Sequence, residues 1–516
     1  MTEQVDEDAS DGADAARLNK RNVRGSMLLL IGRLVSLLFT VVTQVVIVRA
    51  LSKSDYGVFA YAFTLTAAGR VLMSLGQGRL LSRFMAKYEE EKDFARLFGA
   101  ILMAVGAIVV TAFVLLGAMA LGVAPLIGAS FDNPSTTKVL LVLMFLAPLN
   151  ALDQVFVSIF AVFSKPTAIF FRKYLLTPAL QLGVVVFIAV TGGTVAQLAL
   201  GYVLSSAFGI GIYAWLFVGV MRDRGISLRR GRNGIVFPFR EVFSFSVPTM
   251  TQELAYLVTN TGSVIILGHF HGSRSLADFR AVLPAARLNQ VVYQTFVTMF
   301  LPMTARLHTR GDHDGVRETY WHSSHFQAVS TFPIMVMTTV FARETTVTLF
   351  GHRYASASAV LVALAIGYYV SIALGFNIYV LQVYGRLKFL VYSNIGVCAV
   401  SLGLAFALSP KYGATGAAIA GGTTMAAQNL VNEIALVRVL GWGSDPMRWI
   451  RPYLVIVAGL LVLVAVRLLV DPGFVVAILL TAVVSLVVVR QTRHDLDLLA
   501  LFPELRRIRP LRRFLS

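Results

Sequence analysis

The chain alternates between long apolar runs and short polar segments, and the runs show no short-period pattern. A membrane-spanning helix needs about 20 mostly apolar residues, whereas barrel strands alternate polar and apolar positions. The pattern therefore predicts an all-α polytopic membrane protein with about 14 transmembrane helices. The predicted spans are residues 27–48, 56–78, 97–122, 139–163, 174–191, 196–220, 243–268, 281–303, 325–342, 357–383, 389–409, 413–437, 451–470 and 473–490. The fifth, ninth and fourteenth runs are short, which leaves twelve or thirteen spans as alternatives.

Basic residues are distributed unequally between the predicted loops. The sequence has 45 Lys and Arg against 27 Asp and Glu, a net charge of +18. If the N-terminus is cytoplasmic, most basic residues fall in cytoplasmic segments, as is typical of membrane proteins. We therefore predict a multi-pass protein of the cell (plasma) membrane with both termini in the cytoplasm. The excess charge is then an orientation signal with contacts to lipid headgroups, and we expect no nucleic-acid partner.

Composition excludes several other classes of protein. Only 14% of residues are charged and 57% are hydrophobic, whereas a soluble domain is about one-quarter charged. The chain has no GxxxxGKS or GxxxxGKT motif, so we do not expect an ATP-driven pump. The one cysteine, Cys398, lies in an apolar run and excludes a disulfide framework. We predict a transporter and not an enzyme, without catalytic residues or a cofactor, and H⁺ or Na⁺ stays open as a coupling ion.

A long basic loop divides the predicted helices into two blocks of six. Paired bundles around a central site are a common plan among transporters. The predicted organisation is a disordered cytoplasmic tail (1–26), an N-lobe with helices 1–6 (27–220), a basic cytoplasmic linker (221–242), a C-lobe with helices 7–12 (243–440), helices 13 and 14 (441–491) and a basic cytoplasmic tail (492–516).

Five ionisable residues fall at membrane depth in the predicted helices: Arg33, Arg70, Arg287, Asp153 and Glu253. Ionisable groups are costly in lipid and by default mark a site or a pathway. In one interpretation, the arginines form structural ion pairs with the carboxylates. In the other, three arginines and two carboxylates line a net positive cavity that binds a phosphate or diphosphate, since the guanidinium donates two hydrogen bonds at once.

Other polar residues are interpreted as interfacial. Arg467 and Glu433 lie close to the ends of predicted helices, where long side chains reach the membrane surface. Glu318, His322 and His325 lie near one helical face and would suit a metal ion. We favour the interpretation that they lie at the hydrated start of a helix, at the cytoplasmic membrane interface. We predict no metal site.

Five sequence segments resemble, in order and spacing, those of a known transporter family. The segment VRALSKSDYGVFAYAFTL (48–65) is similar to the pattern aRxLxxxxYGxf at a helix 1–2 junction. The others are FSFSVPTMTQELAYLV (243–258), FLPMTARLHTRGD (300–312), LFGHRYASASAVLVALAIGYYV (349–370) and SPKYGATGAAIA (409–420). They resemble the polysaccharide-biosynthesis, Wzx-type oligosaccharide flippases of the multidrug/oligosaccharidyl-lipid/polysaccharide (MOP) exporter superfamily. Residues 278–290, around Arg287, depart from the family pattern.

This resemblance implies two six-helix lobes in a V around a central cavity, with two extra C-terminal helices. It implies a flippase that moves a polyprenyl-(di)phosphate-linked oligosaccharide from the cytoplasmic to the outer leaflet by alternating access, for surface polysaccharide or glycan assembly. The implied partners are the lipid-linked sugar, membrane lipids, and a polysaccharide polymerase or glycosyltransferase. We expect the protein to be a monomer.

In the mechanism that we predict, Arg33 and Arg70 capture the carrier phosphate and Arg287 receives it after the lobes rock. Asp153 and Glu253 either hold the arginines in register or bind a proton or Na⁺. Two alternatives belong to the same superfamily. An ion-coupled multidrug antiporter would need a net acidic cavity, whereas a lipid-linked peptidoglycan precursor flippase would share the cationic one.

Overall fold

The computed structural model describes residues 28–496 apart from residues 30, 75–83, 86, 130, 132, 164, 224–234 and 442–445. Regular structure in these residues is helical, which confirms the predicted all-α fold class. The chain divides into two compact units, Met1–Leu257 and Val258–Ser516. The predicted N-terminal tail (1–26), residues 224–234 of the predicted linker and nearly all of the predicted C-terminal tail lie outside the described residues.

The first unit contains six long helices in its described part. Asp93 caps the third by accepting a hydrogen bond from the backbone N–H of Arg96 at 3.0 Å. Pro166 lies in the first turn of the fifth, where a proline loses no helical hydrogen bond, and Gly192 ends that helix with a φ of 65°. The six are α1 (Ile31–Ala50), α2 (Lys53–Ser74), α3 (Phe94–Ala129), α4 (Thr136–Val162), α5 (Pro166–Thr191) and α6 (Val195–Asp223).

Helix α2 forms the centre of the first unit, because it packs against α3, α4 and α6. The Thr66 hydroxyl donates to the backbone oxygen of Leu143 on α4 at 3.0 Å. A Cβ atom on Gly69 would lie 2.7 Å from Cε of Met144, so a glycine permits this helix crossing. Arg70 follows directly, and the α2–α4 contact therefore sets its depth in the unit.

The second unit contains two very long helices that each break at a glycine. Gly272 has a φ of 63° and Gly413 a φ of 55°, and both lie in the region that favours glycine. Each long helix is therefore two helices joined at a sharp turn. The helices from this part of the chain are α7 (Phe239–Arg287), which begins before the unit boundary, α8 (Asn289–Thr309), α9 (His313–Thr339), α10 (Ala342–Phe350), α11 (Ser358–Ala373), α12 (Asn377–Val383), α13 (Leu387–Leu440), α14 (Pro446–Leu469) and α15 (Phe474–Leu496).

The core of the second unit combines an apolar cluster with a close glycine crossing. Phe332 and Val336 on α9 are fully buried in a cluster with side chains of α14 and α15. On α11, a Cβ atom added to Gly367 would lie 2.4 Å from the Cα of Gly422 on α13. These two helices therefore approach to backbone contact, which small residues permit in membrane bundles.

The described helices are long and apolar enough for a multi-pass membrane protein. Ten of them satisfy the length and hydropathy of a membrane span, and α9 with α10, bent by 74°, would make an eleventh. Each of the fourteen predicted runs overlaps a helix, and two of the runs fall on the two halves of α13. The count of fourteen spans stays a prediction.

The structure corrects the predicted start of the fifth helix. The apolar run was placed at 174–191, and Arg172 and Lys173 were assigned to a cytoplasmic loop. Helix α5 instead begins at Pro166, so both basic residues lie inside a helix. The prediction was wrong because it ended the apolar run at charged residues, whereas Arg172 is buried inside the unit and pairs with Asp153 of α4.

Candidate functional site

Helix α5 contains a π-helical segment at the level of its two basic residues. Residues Phe170–Leu176 form π turns, in which the N–H of Thr177 bonds to the carbonyl of Arg172, five residues earlier. The Thr177 hydroxyl donates to the same carbonyl at 2.9 Å. Single π turns inside α-helices are frequent at functional sites because they redirect side chains. Here the segment positions Arg172, Lys173 and Tyr174 in succession.

Arg172 is buried and forms an ion pair with Asp153 of α4. Only 3% of Arg172 is exposed, and its guanidinium carbon lies 4.6 Å from the centre of the Tyr213 ring on α6. A Cβ atom on Gly209 would come within 2.8 Å of the guanidinium, so this glycine leaves the space that Arg172 fills. A buried charge is tolerated only with a partner, and Asp153 is that partner.

Lys173, Arg33 and Arg70 form a cationic cluster in the first unit. Lys173 on α5 lies within electrostatic range of Arg33 on α1, of Arg70 on α2 and of its neighbour Arg172, so three helices contribute positive charge to one region of the unit. The Nε of Arg33 donates to the Tyr174 hydroxyl at 3.3 Å. The sequence prediction included Arg33 and Arg70 but missed Lys173.

The approach of α1 to the π-helical segment depends on Gly32. A Cβ atom at this position would lie 2.8 Å from ring carbons of both Phe170 and Tyr174. The glycine directly precedes Arg33, so the contact fixes where the Arg33 side chain leaves α1. Arg33 is exposed, while Arg70 and Lys173 are half-buried.

The cluster carries a net positive charge. Asp153 compensates Arg172, and among the described side chains no carboxylate forms an ion pair with Arg33, Arg70 or Lys173. Guanidinium and ammonium groups are donors only, and they form strong hydrogen bonds with phosphate oxygens. Three such groups from three helices are suited to bind a phosphate or diphosphate.

The other predicted arginine, Arg287, lies at the end of α7 in the second unit. Its Nε donates to the hydroxyl of Tyr368 on α11 at 2.8 Å, and its guanidinium carbon is 6.0 Å from the centre of that ring. The structure thus places Arg33, Arg70 and Asp153 in one unit and Arg287 in the other. The side chain of Glu253 lies outside the described side chains.

Glu433, interpreted from the sequence as an interfacial residue, is buried among side chains of the second unit. It is 8% exposed, accepts a hydrogen bond from the Tyr320 hydroxyl of α9, and accepts a second from Nδ2 of Asn377 at 3.3 Å. Its Oε1 is buried without a hydrogen-bond partner, and no described basic side chain forms an ion pair with it. The neighbouring polar positions Asn429 and Asn432 were a sequence signal for a buried polar face, which the prediction did not use.

Arg467 and His325, one of the two histidines predicted to be interfacial, are also more buried than expected. Nη1 of Arg467 lies 2.5 Å from Glu344 Oε2 and 2.6 Å from the backbone oxygen of Val340, so Arg467 ties α14 to the turn between α9 and α10. His325 is fully buried, and its Nε2 lies 2.8 Å from the backbone oxygen of Trp449. The described residues include no group of three side chains that could hold a metal ion.

The profile of a family described as polysaccharide biosynthesis protein matches residues 46–359, more than half of the chain. No curated protein sequence matches the chain significantly. Among solved structures, the lipid II flippase MurJ in an inward closed conformation has a TM-score of 0.69 at 15% identity, over 92% of this chain and 100% of that one.

Two further solved structures share the fold. A multidrug resistance MATE family transporter of the MOP superfamily, in an inward-facing conformation, has a TM-score of 0.61 at 14% identity, over 81% of this chain and 100% of that one. A MOP superfamily transporter from Pyrococcus furiosus, described by the reverse polarity of its binding pocket, has a TM-score of 0.52 at 17% identity, over 82% and 96%. At these identities the likeness concerns the fold.

Proposed function

The chain belongs to the polysaccharide biosynthesis protein family and has the fold of MOP transporters, and from this premise we propose that it is a lipid-linked oligosaccharide flippase. It moves a polyprenyl-(di)phosphate-linked oligosaccharide from the cytoplasmic to the outer leaflet by alternating access. The translocated product then enters surface polysaccharide or glycan assembly through a polymerase or glycosyltransferase. No step in this proposal is catalytic.

The cationic cluster is the observation that carries this proposal. Arg33, Arg70 and Lys173 contribute three positive charges to one region, on helices long and apolar enough to span a membrane, where isolated charges are costly. A phosphate or diphosphate on a polyprenyl carrier would compensate them, because its oxygens accept several charge-assisted hydrogen bonds at once. Arg33 is exposed and held by Tyr174, so it is the group that meets the phosphate first.

The remaining predicted residues have different roles in this proposal. Asp153 holds Arg172 and with it the π-helical segment, so it positions Lys173 and does not contact the cargo. Arg287, in the second unit, receives the phosphate later in the cycle. Its hydrogen bond to Tyr368 holds the guanidinium in one orientation until then.

A coupling ion, if the transport uses one, is best assigned to Glu433. Asp153 is already compensated by a buried arginine, whereas Glu433 has two hydrogen-bond donors and an oxygen without a partner among the described groups. A buried carboxyl in this state binds a proton or a small cation more readily than one in an ion pair. We propose H⁺ or Na⁺ for this position.

Export from cells that lack the chromosomal gene tests the proposal. Arg33→Gln, Arg70→Gln and Lys173→Gln should each lower surface polysaccharide by about tenfold or more, since each removes a charged hydrogen bond to phosphate. The matched control is Lys411→Gln, which removes an exposed charge from the second unit. Wild-type export from all three cluster variants, at normal abundance in the membrane, would refute the assignment.

The same cells separate the two alternatives within the superfamily. A multidrug antiporter would restore drug resistance, and its cationic cargo would be repelled by the cluster. A peptidoglycan precursor flippase shares the requirement for a cationic site, so charge does not exclude it. Complementation of a strain that lacks its own precursor flippase would identify that function, whereas restored surface polysaccharide alone would identify the proposed one.

A further inference from the structure

A groove on the first unit lies apart from the cationic cluster. It has a volume of about 550 Å³ and lies between the turn that joins α4 to α5 and the C-terminal end of α6. Most of its lining is apolar, and Lys165, Phe171, Trp215 and Arg222 are among its lining residues. The proposed transport does not use any of these four side chains.

The polar end of the groove is positive. Lys165 directly precedes α5, and Arg222 lies in the last turn of α6, and both side chains are exposed. Neither Lys165 nor Arg222 forms an ion pair with a carboxylate among the described side chains. Two basic groups that line one groove attract an anion, and near a membrane surface the abundant anion is a lipid phosphate.

The rest of the groove is suited to an acyl chain. Trp215 is 73% exposed and Phe171 is 50% exposed, although both are large apolar side chains. Trp215 precedes Arg222 by seven residues on α6, which corresponds to about 10 Å along a helix. The aromatic and basic ends of the groove are therefore separated by roughly the depth of the interfacial region, where tryptophan is enriched.

We propose that this groove binds an anionic diacyl phospholipid. The lipid phosphate lies between Lys165 and Arg222, and an acyl chain contacts Phe171 and Trp215. A free phosphate would leave the apolar lining uncovered, and a neutral phospholipid would not compensate the two cations. This assignment does not depend on the cargo that the protein transports.

The bound lipid also contacts the π-helical segment. Phe171 belongs to that segment and lines the groove, while the next two residues are the buried Arg172 and the cluster member Lys173. An anionic lipid should therefore stabilise the segment that positions the cationic cluster. Raised thermal stability on lipid addition is a second readout of the same site.

Native mass spectrometry of the full chain in detergent tests the proposal, with phosphatidylglycerol and phosphatidylcholine as probes. The wild type should bind phosphatidylglycerol more tightly than phosphatidylcholine. The double variant Lys165→Gln/Arg222→Gln should weaken phosphatidylglycerol binding about 30-fold and leave phosphatidylcholine unchanged. Trp215→Ala should weaken both lipids, because it removes a contact with the acyl chain.

The control is the double variant Lys388→Gln/Lys411→Gln, which removes two exposed charges of the second unit and should bind phosphatidylglycerol normally. Equal loss in this control would overturn the proposal, as would equal binding of the two lipids by the wild type. Displacement of phosphatidylglycerol by polyprenyl phosphate, but not by inorganic phosphate, would assign the groove to the carrier and overturn it as well.

Discussion

The ion pair of Asp153 and Arg172 leads to a quantitative prediction about stability. Asp153→Asn keeps the shape of the side chain and removes its charge. Arg172 is 3% exposed and would remain charged between α4 and α6 without a carboxylate. Removal of one partner from a buried pair typically costs about 3–5 kcal/mol, and the partial exposure of Asp153 places the expected loss near the lower end.

A double-mutant cycle on the purified chain in detergent measures this loss. Arg172→Met and Asp153→Asn should each lower the free energy of unfolding. The double variant should lose less free energy of unfolding than the two single losses added together. The coupling free energy should be about 2 kcal/mol or more, since replacing both charges removes the uncompensated one. A loss below about 1 kcal/mol for Asp153→Asn, or simple additivity, would refute the role given to this pair.

The same variants separate the two interpretations of Asp153. If Asp153 only positions Arg172 and the π-helical segment, a stable double variant should retain most export. If Asp153 binds a coupling ion, export should be lost in every variant without this carboxyl, whatever the stability. Export by the double variant at wild-type abundance therefore decides whether Asp153 positions Arg172 or binds a coupling ion.

Three further predictions concern close contacts and the buried carboxyl. Gly422→Ala should lower the free energy of unfolding by about 1–3 kcal/mol, because its Cβ would lie 2.3 Å from a backbone oxygen, while Gly421→Ala has open space and should be neutral or stabilising in thermal melts. Gly209→Ala should destabilise by a similar amount by displacing the Arg172 guanidinium, and Gly211→Ala is the control that has open space. Glu433→Gln should change the free energy of unfolding by less than about 1 kcal/mol but abolish ion-dependent export. Glu433→Leu should lower the free energy of unfolding by about 1–3 kcal/mol, because it leaves buried hydrogen-bond donors without an acceptor. Ion-dependent export by Glu433→Gln would contradict the coupling role.

The sequence allowed the helices to be located because lipid leaves few alternatives. A backbone in the bilayer must satisfy its hydrogen bonds within one segment, so each long apolar run predicts a helix with little dependence on its neighbours. The positions of Arg33 and Arg70 within helices α1 and α2 could be predicted for the same reason, because both residues fall inside apolar runs. The surroundings of these two arginines also depend on the glycines Gly32 and Gly69, whose contacts involve distant parts of the chain.

The missed residues are those whose environment is set by tertiary contacts. Arg172 and Lys173 were placed in a loop because a hydropathy pattern ends a predicted span at charged residues. The groups that surround them, Asp153 for Arg172 and two arginines for Lys173, lie on other helices. Glu433 was interpreted as a surface residue because it lies near the end of an apolar run. Its burial depends on Tyr320, 113 residues earlier in the chain, and no local pattern reports that contact.

The π-helical segment makes the site sensitive to the number of residues as well as to their identity. Relative to an α-helix, a π turn accommodates one additional residue, so deletion of one residue from Phe170–Leu176 would restore α geometry. The parts of α5 on either side would keep their faces, because the wider turn spreads one more residue over nearly the same rotation, whereas the side chains within Phe170–Leu176 would leave the helix in new directions. Homologous chains that lack the extra residue should therefore direct the side chains of this segment differently towards α1 and α2. A gap of one position in an alignment would therefore mark a rearranged cationic cluster even where every basic residue is retained.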